Sequence, residues 1–161
     1  MAEFSQQFRE AMAHLSAAVH IVTSNGTAGK VGITVSSVAS VSDSPPTLLF
    51  CVNQSSELHD VLKQNGKVCV NVLNHEQAEL AKHFAGMLDS TMAERFDWAI
   101  WDEGQHSVPL LQNAISRLQG EIVEAKTVGS HSVFFVQLSE IECEPKHGLI
   151  YFARQFKTAE I

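Results

Sequence analysis

What most constrains this chain is its punctuation. Runs rich in β-branched and apolar residues are cut at close intervals by strand-ending residues: Asn25-Gly26, Ser44-Pro45-Pro46, Asn65-Gly66, Gly129, and Pro145 to Gly148. Between the cuts, residues 18–23, 31–41, 47–53, 67–73, 116–126, 131–144 and 149–156 read as strands. Residues 47–53 are apolar almost throughout, so that strand is expected to be buried on both faces. Helices are few and short. Phe4, Phe8, Met12 and Leu15 recur at steps of four, four and three, which predicts a helix over 5–14 with that face in the core. Leu58, Val61 and Leu62 mark a second helix, with Ser55 or Ser56 as its cap and Asn65-Gly66 as its stop. A third covers 76–84, with Gly86 just past its end, and Thr91-Met92-Ala93-Glu94 fits a capping box. Six or so strands with short helices between them give a mainly β chain of the α+β class, an antiparallel barrel or sandwich. They do not give a doubly wound parallel sheet.

Composition narrows the function. At 161 residues the chain has the length of one domain, 1–161, able to bury a core without disulfides or a metal. Its formal net charge of −7 (11 basic, 18 acidic side chains) argues against nucleic acid and anionic membrane surfaces as partners. No apolar run approaches the ~20 residues of a membrane span. Met1-Ala2-Glu3-Phe4-Ser5 lacks a basic start followed by an apolar core, so the expected location is cytoplasmic. The three cysteines, Cys51, Cys69 and Cys143, are widely spaced among apolar neighbours and are expected to be inert buried thiols.

The chemistry is less explicit. Gly26, Gly29 and Gly32 do not form a dinucleotide fingerprint, and no P-loop is present. Eight histidines raise the question of a metal. His75-Glu76 is not followed by the second histidine of a zinc helix, however, and no metal site is expected. Hydroxyl residues cluster at Thr34, Ser36, Ser37, Ser40, Ser42 and Ser44, and Asn53-Gln54-Ser55-Ser56 ends the third strand. Such a cluster either faces solvent or binds an anion where backbone N–H groups and hydroxyls converge.

Nine segments in order along the chain carry a resemblance. The most distinctive are Gly32-Ile33-Thr34-Val35-Ser36-Ser37-Val38, Ser44-Pro45-Pro46-Thr47-Leu48, Asn53-x-x-Ser56, Lys67-x-Cys69-Val70-Asn71-Val72-Leu73, His83-Phe84-Ala85-Gly86, Gly129-Ser130-His131 and His147-Gly148-Leu149-Ile150-Tyr151-Phe152. Together they resemble the flavin reductase family, the short-chain NAD(P)H:flavin oxidoreductases. Asn71 to Gln77 and Gly148 to Phe152 resemble most the reductase components that serve 4-hydroxyphenylacetate-type phenolic hydroxylases. The resemblance implies a six-stranded antiparallel split β-barrel and a homodimer with FMN or FAD near the subunit interface. It implies NADH as hydride donor, with NADPH open, and a separate oxygenase that receives the reduced flavin. Carried over by position, Thr34, Val35, Ser36 and Ser37 are expected to contact flavin, and Cys51, Val52 and Asn53 to line its ring or ribityl chain. Ser56 is expected on the phosphate, Phe84 and Gly86 at the pocket border, and His131 and Tyr151 on the nicotinamide side, His131 being the one catalytic candidate. A flavin carrier without turnover stays open beside the enzyme. It would need residues 34–37 and 53–56 but not His131.

Overall fold

The computed structural model describes residues 1–161. Along the chain run α1 (Ala2–Met12), β1 (Ala17–Ala18), β2 (His20–Ser24), β3 (Val31–Val35), β4 (Val38–Asp43), β5 (Pro46–Asn53), α2 (Glu57–Asn65) and β6 (Lys67–Val72). There follow α3 (Ala78–Phe84), α4 (Met92–Asp97), β7 (Trp101–Glu103), a short 3-10 turn (Gln105–Ser107), β8 (Pro109–Leu111), β9 (Ser116–Val128), β10 (His131–Cys143), β11 (Gly148–Phe152) and β12 (Gln155–Ala159). The protein is mainly β, as the punctuation implied.

Seven strands form one antiparallel sheet in the order β3-β2-β6-β9-β10-β5-β4. Its outer strands, β3 and β4, are separated in sequence only by Ser36 and Ser37. The three residue steps from Val35 to Val38 span no more than ~11 Å, so the sheet must curl until its two edges approach. No ladder joins β3 to β4, and the sheet is not a closed barrel. The expected six strands become seven here because the single run at 31–41 is cut at Ser36-Ser37. The 149–156 run is cut likewise. Ala153 and Arg154, with φ of 50° and 61°, make a tight turn, and β11 and β12 join β1 in a separate three-stranded sheet. The β7–β8 hairpin escaped the sequence because its strands are three residues each, too short for a period.

The core lies in two large parts and a small third of Cys69, Val108 and Leu110. Val22, Phe50, Val52, Leu62, Val70, Phe134 and Val136 pack between the sheet and α2. Val19, Ile21, Leu73, Ala81, Phe84, Leu111 and Leu149 pack under α3. The signals for α2 operate as read: Ser56 Oγ accepts from Leu58 N, and Gly66 (φ 75°) closes the helix. Thr91 and Glu94 form the capping box of α4. No helix is long and apolar enough to cross a membrane, and no three His, Cys, Asp or Glu side chains group as a metal site.

Three expectations are corrected. The apolar face of α1 is not core: Phe4 is 72 % exposed, Phe8 60 %, Met12 42 % and Leu15 61 %. The helix touches the body only near its end, through the Arg154–Glu10 ion pair, the His14–Phe152 ring contact and Ala153 N donating to Ala13 O. In β5, Leu48, Phe50 and Val52 are buried while Thr47, Leu49 and Cys51 are half-buried, because no helix covers the outer face of the strand. Of the cysteines only Cys69 is buried, its thiol pushed up to about 12 by desolvation; Cys143 is exposed, because β10 outruns the core.

His20 gives a first prediction. It is buried at the start of β2, its Nδ1 3.4 Å from the Val35 carbonyl, and burial lowers its pKa to about 4. The unfolded chain takes up a proton at this group near pH 6.5 and the folded chain does not. Its contribution is therefore present above pH 6.5 and lost as pH falls towards 4, on the order of 3 kcal/mol. The lowered carboxylates Asp102, Glu121 and Glu144 act in the same direction, but only below the ordinary carboxylate range. Thermal melts between pH 7.5 and 5 should therefore show a falling Tm in the native protein and a flatter profile in His20→Leu.

Candidate functional site

Two candidate regions flank the Ser36-Ser37 corner of the sheet. The first is a hollow of about 220 Å³. Thr34, Val35 and Ser36 enter it from the end of β3, Ala85 and Met87 from the loop after α3, Tyr151 and Phe156 from the β11–β12 hairpin, and Val19 from beneath. Thr34 Oγ1 donates to the Ala81 carbonyl at 2.7 Å, which ties the last turn of α3 to the sheet edge. The loop beyond α3 is held by Arg95. This buried guanidinium donates from Nε to Ser90 Oγ (2.7 Å) and from Nη2 to Ser90 O (2.8 Å), and lies over the Phe84 ring at 5.3 Å. Tyr151 packs against Phe156 at a 60° tilt with centroids 4.9 Å apart, and Lys82 Nζ sits 5.9 Å above Phe156, bringing a cation to a wall of an otherwise acidic protein.

The second region lies across Ser37. Its hydroxyl accepts from Cys51 N (3.2 Å) and donates to Cys51 O (3.3 Å), replacing a missing ladder rung between the β3–β4 corner and β5. From Cys51 the chain runs through Val52 and Asn53 into the turn that starts α2. There Asn53 Oδ1 accepts from Ser55 N and Ser55 Oγ, both at 2.9 Å, and Ser56 caps the helix. His131 opens β10 directly opposite Asn53 in the ladder, exposed, its Nδ1 2.8 Å from Ser130 Oγ.

Most of the residues expected from sequence thus fall in one of the two regions. Thr34, Val35, Ser36 and Tyr151 share the hollow; Ser37, Cys51, Val52, Asn53, Ser56 and His131 share the second region. Two side chains point elsewhere. The Phe84 ring is buried against Phe96 and Trp101, and Val52 is buried in the first core cluster, so neither side chain lines the hollow. Gly86 (φ 74°) has open space where a side chain would be, on the loop that carries Ala85 and Met87. No hydrogen bond or ring contact joins His131 to Tyr151 within the protomer. Sequence reasoning missed Val19, Ala85, Met87 and Phe156. Phe156 was recoverable, because an Ala153-Arg154 turn places it opposite Tyr151. Four larger hollows, from about 240 Å³ beside Phe96 to about 440 Å³ near Arg117, contain none of the expected residues.

An apolar hollow edged by the Thr34 and Ser36 hydroxyls on a curled antiparallel sheet suits a flat ring system with a polar rim. That is the binding problem of a flavin protein. The chain belongs to the flavin reductase family: residues 12–160 match the family model described as a flavin reductase like domain. It is 51 % identical over 152 residues to the 4-hydroxyphenylacetate 3-monooxygenase reductase component of Pseudomonas aeruginosa, covering 94 % of this chain and 89 % of the relative. It is 41 % identical over 152 residues to the FMN reductase (NADH) RutF of Acinetobacter baylyi, covering 94 % and 80 %. Among solved structures, BorF, the flavin reductase component of a bacterial two-component tryptophan halogenase, superposes with a TM-score of 0.91 at 27 % identity. That match covers 98 % of this chain and 99 % of BorF.

Proposed function

We propose that this protein reduces FMN or FAD with NADH and releases the reduced flavin to a separate oxygenase that hydroxylates a phenolic substrate of the 4-hydroxyphenylacetate type. The reading places it in the cytoplasm, where NADH is supplied. The observation that carries it is the meeting of Thr34, Val35 and Ser36 with Tyr151 around one hollow, although more than a hundred residues separate them. In this reading residues 34–37 hold the flavin edge through backbone and hydroxyl groups, and Cys51 and Asn53 line it. Ser56 binds the phosphate, and Gly86 leaves room at the border. His131 and Tyr151 order the nicotinamide. Bound flavin supplies the hydride acceptor; the chain supplies alignment of two flat rings and exclusion of water.

The same reading makes the protein a homodimer, with the curled sheet as the split barrel of the family. The hollow in one protomer is smaller than the ~300–1,000 Å³ usual for a cofactor site. The outer face of β5 and β10 pairs Leu49 with Phe135 and Cys51 with Val133, all half-buried with no cover, and it continues directly into His131 and Asn53. An eleven-residue helix with its apolar face in water is marginal on its own. A second copy lying on the β5–β10 face and on α1 supplies both covers and completes the site.

The first test is NADH consumption by the purified protein with and without added FMN or FAD. Saturation in both reactants is expected. Flavin binding without consumption of NADH or NADPH would leave the carrier reading instead. In His131→Ala, kcat/KM for NADH should fall about tenfold, the worth of one lost cofactor hydrogen bond, while flavin affinity stays within about twofold. Equal loss in both would remove His131 from the nicotinamide side.

A further inference from the structure

One buried polar pair lies outside everything assigned so far. His59, on the first turn of α2, is 7 % exposed, and Ser132, the second residue of β10, is 2 % exposed. Their side chains meet, His59 Nε2 to Ser132 Oγ, at 2.8 Å. The other ring nitrogen, Nδ1, is 2.8 Å from Asp60 Oδ1 at the surface, and the ring lies tilted on Phe134 with centroids 5.3 Å apart. Both imidazole nitrogens are therefore engaged, so the ring has one orientation. A histidine and a serine are a poor choice for filling space beside Phe134, since each loses hydration on burial and regains it only through a directional bond. Two apolar side chains would pack there without that demand.

The placement of the pair gives it a use. Ser132 follows His131 and pairs with Val52; His131 pairs with Asn53. His59 lies three residues beyond Ser56. The bond therefore crosses from the start of β10 to the start of α2, beneath the turn at 53–56. A second tie runs above it, Gln54 N donating to Ser130 O at 2.9 Å and Gln54 Nε2 to Gly129 O at 2.7 Å. The upper tie fixes the tip of the turn. Only the lower one fixes the helix whose first turn carries Ser56.

We infer that His59, acting through Ser132, is a positioning residue for flavin binding: it sets the start of α2, and with it Ser56, against the strand that carries His131. The inference rests on the assignment of Ser56 to the flavin phosphate. Loss of the tie lets the helix start shift by a fraction of an ångström while β5 and β10 remain paired. The ground-state grip on the flavin tail weakens, and the ring stack does not.

The test is steady-state kinetics with FMN and NADH on His59→Leu, Ser132→Ala, His59→Gln and the double variant His59→Leu/Ser132→Val, with Tm measured on each. His59→Leu and Ser132→Ala should raise KM for FMN about tenfold and leave kcat at saturating FMN within about twofold, the signature of lost uniform binding. His59→Gln, whose amide can still bond to Ser132, should recover most of the affinity. The double variant places two apolar groups face to face, so it should keep its Tm yet retain the raised KM. A KM unchanged in all four, or a kcat that falls with Tm while KM stays constant, overturns the positioning role and leaves a packing residue. Ser56→Ala separates the two layers. A normal KM for FMN in Ser56→Ala removes the phosphate assignment itself. A raised one beside a normal His59→Leu removes only the tie.

Discussion

Phe135→Glu should convert the proposed homodimer to a monomer in light scattering at micromolar concentration and reduce flavin-dependent NADH oxidation by about a hundredfold or more. Phe135 stands on the outer face of β10 opposite Leu49, half-buried with nothing over it in the single protomer. Burying a side chain of that size contributes about 1.5–3 kcal/mol. A two-fold interface contains each position twice, so one substitution removes roughly 3–6 kcal/mol of association, or two to four decades in Kd. The activity follows the assembly because the same face continues through Val133 and Cys51 into His131 and Asn53, where the proposed site opens. Phe8→Asp provides the parallel measurement. Phe8 is 60 % exposed and its loss leaves the protomer core untouched, so a monomer produced by that variant cannot be attributed to misfolding. A monomeric Phe135→Glu protein with full activity would show that one protomer holds the whole site.

That face also explains which parts of the molecule could be read in advance. The run Thr47–Asn53 reads as buried on both sides while the protomer buries only one, and the proposed homodimer would cover the other. The same holds for Phe4, Phe8 and Met12, whose helical spacing was legible while their burial partner was not. Local signals with a complete cause in the sequence, the Ser56 cap, the Gly66 stop and the Thr91–Glu94 box, operate where they were read. Pairing order was not legible, because the break at Ser36-Ser37 is two serines, ordinary strand-compatible residues. Their effect depends on β3 and β4 being opposite edges of one sheet. The candidate site residues came from segment resemblance. Residues 34–36, 85, 87 and 151 are distant in sequence but line one hollow, while 37, 51–56 and 131 lie together across Ser37. His59 and Ser132 gave no such signal, since a lone histidine in an amphipathic helix and a serine in a strand have no period of their own.

Gly120→Ala should cost about 4 kcal/mol and lower Tm by roughly 8–16 °C, the largest effect expected from adding one methyl group anywhere in the sheet. Gly120 lies in β9, the middle strand of the seven, with Val68 of β6 on one side and Leu138 of β10 on the other. A Cβ there would run into the backbone carbonyl of Gln137 and approach Val136 Cγ1 to 2.9 Å. The carbonyl cannot swing aside as a side-chain tip could, because Gln137 is itself paired with Glu121 and Thr47 on its two flanks. The close approach arises from two register slips in the β9–β10 ladder, between Phe135 and Val136 and between Leu138 and Glu140, which bend the strands across each other. A glycine in the interior of a strand is the sequence mark of such a bend. Gly32 makes the contrast: its added Cβ would meet Phe84 Cε1 at 2.7 Å, a ring edge that can rotate or shift with α3. Gly32→Ala should therefore lose less stability than Gly120→Ala and more flavin affinity, since α3 carries Ala85 and Gly86 with it. Thermal melts and FMN titrations of the two variants side by side check the pair. Equal losses of Tm would mean that the β9–β10 crossing relaxes as readily as a side chain, and that the bend is not rigidly set.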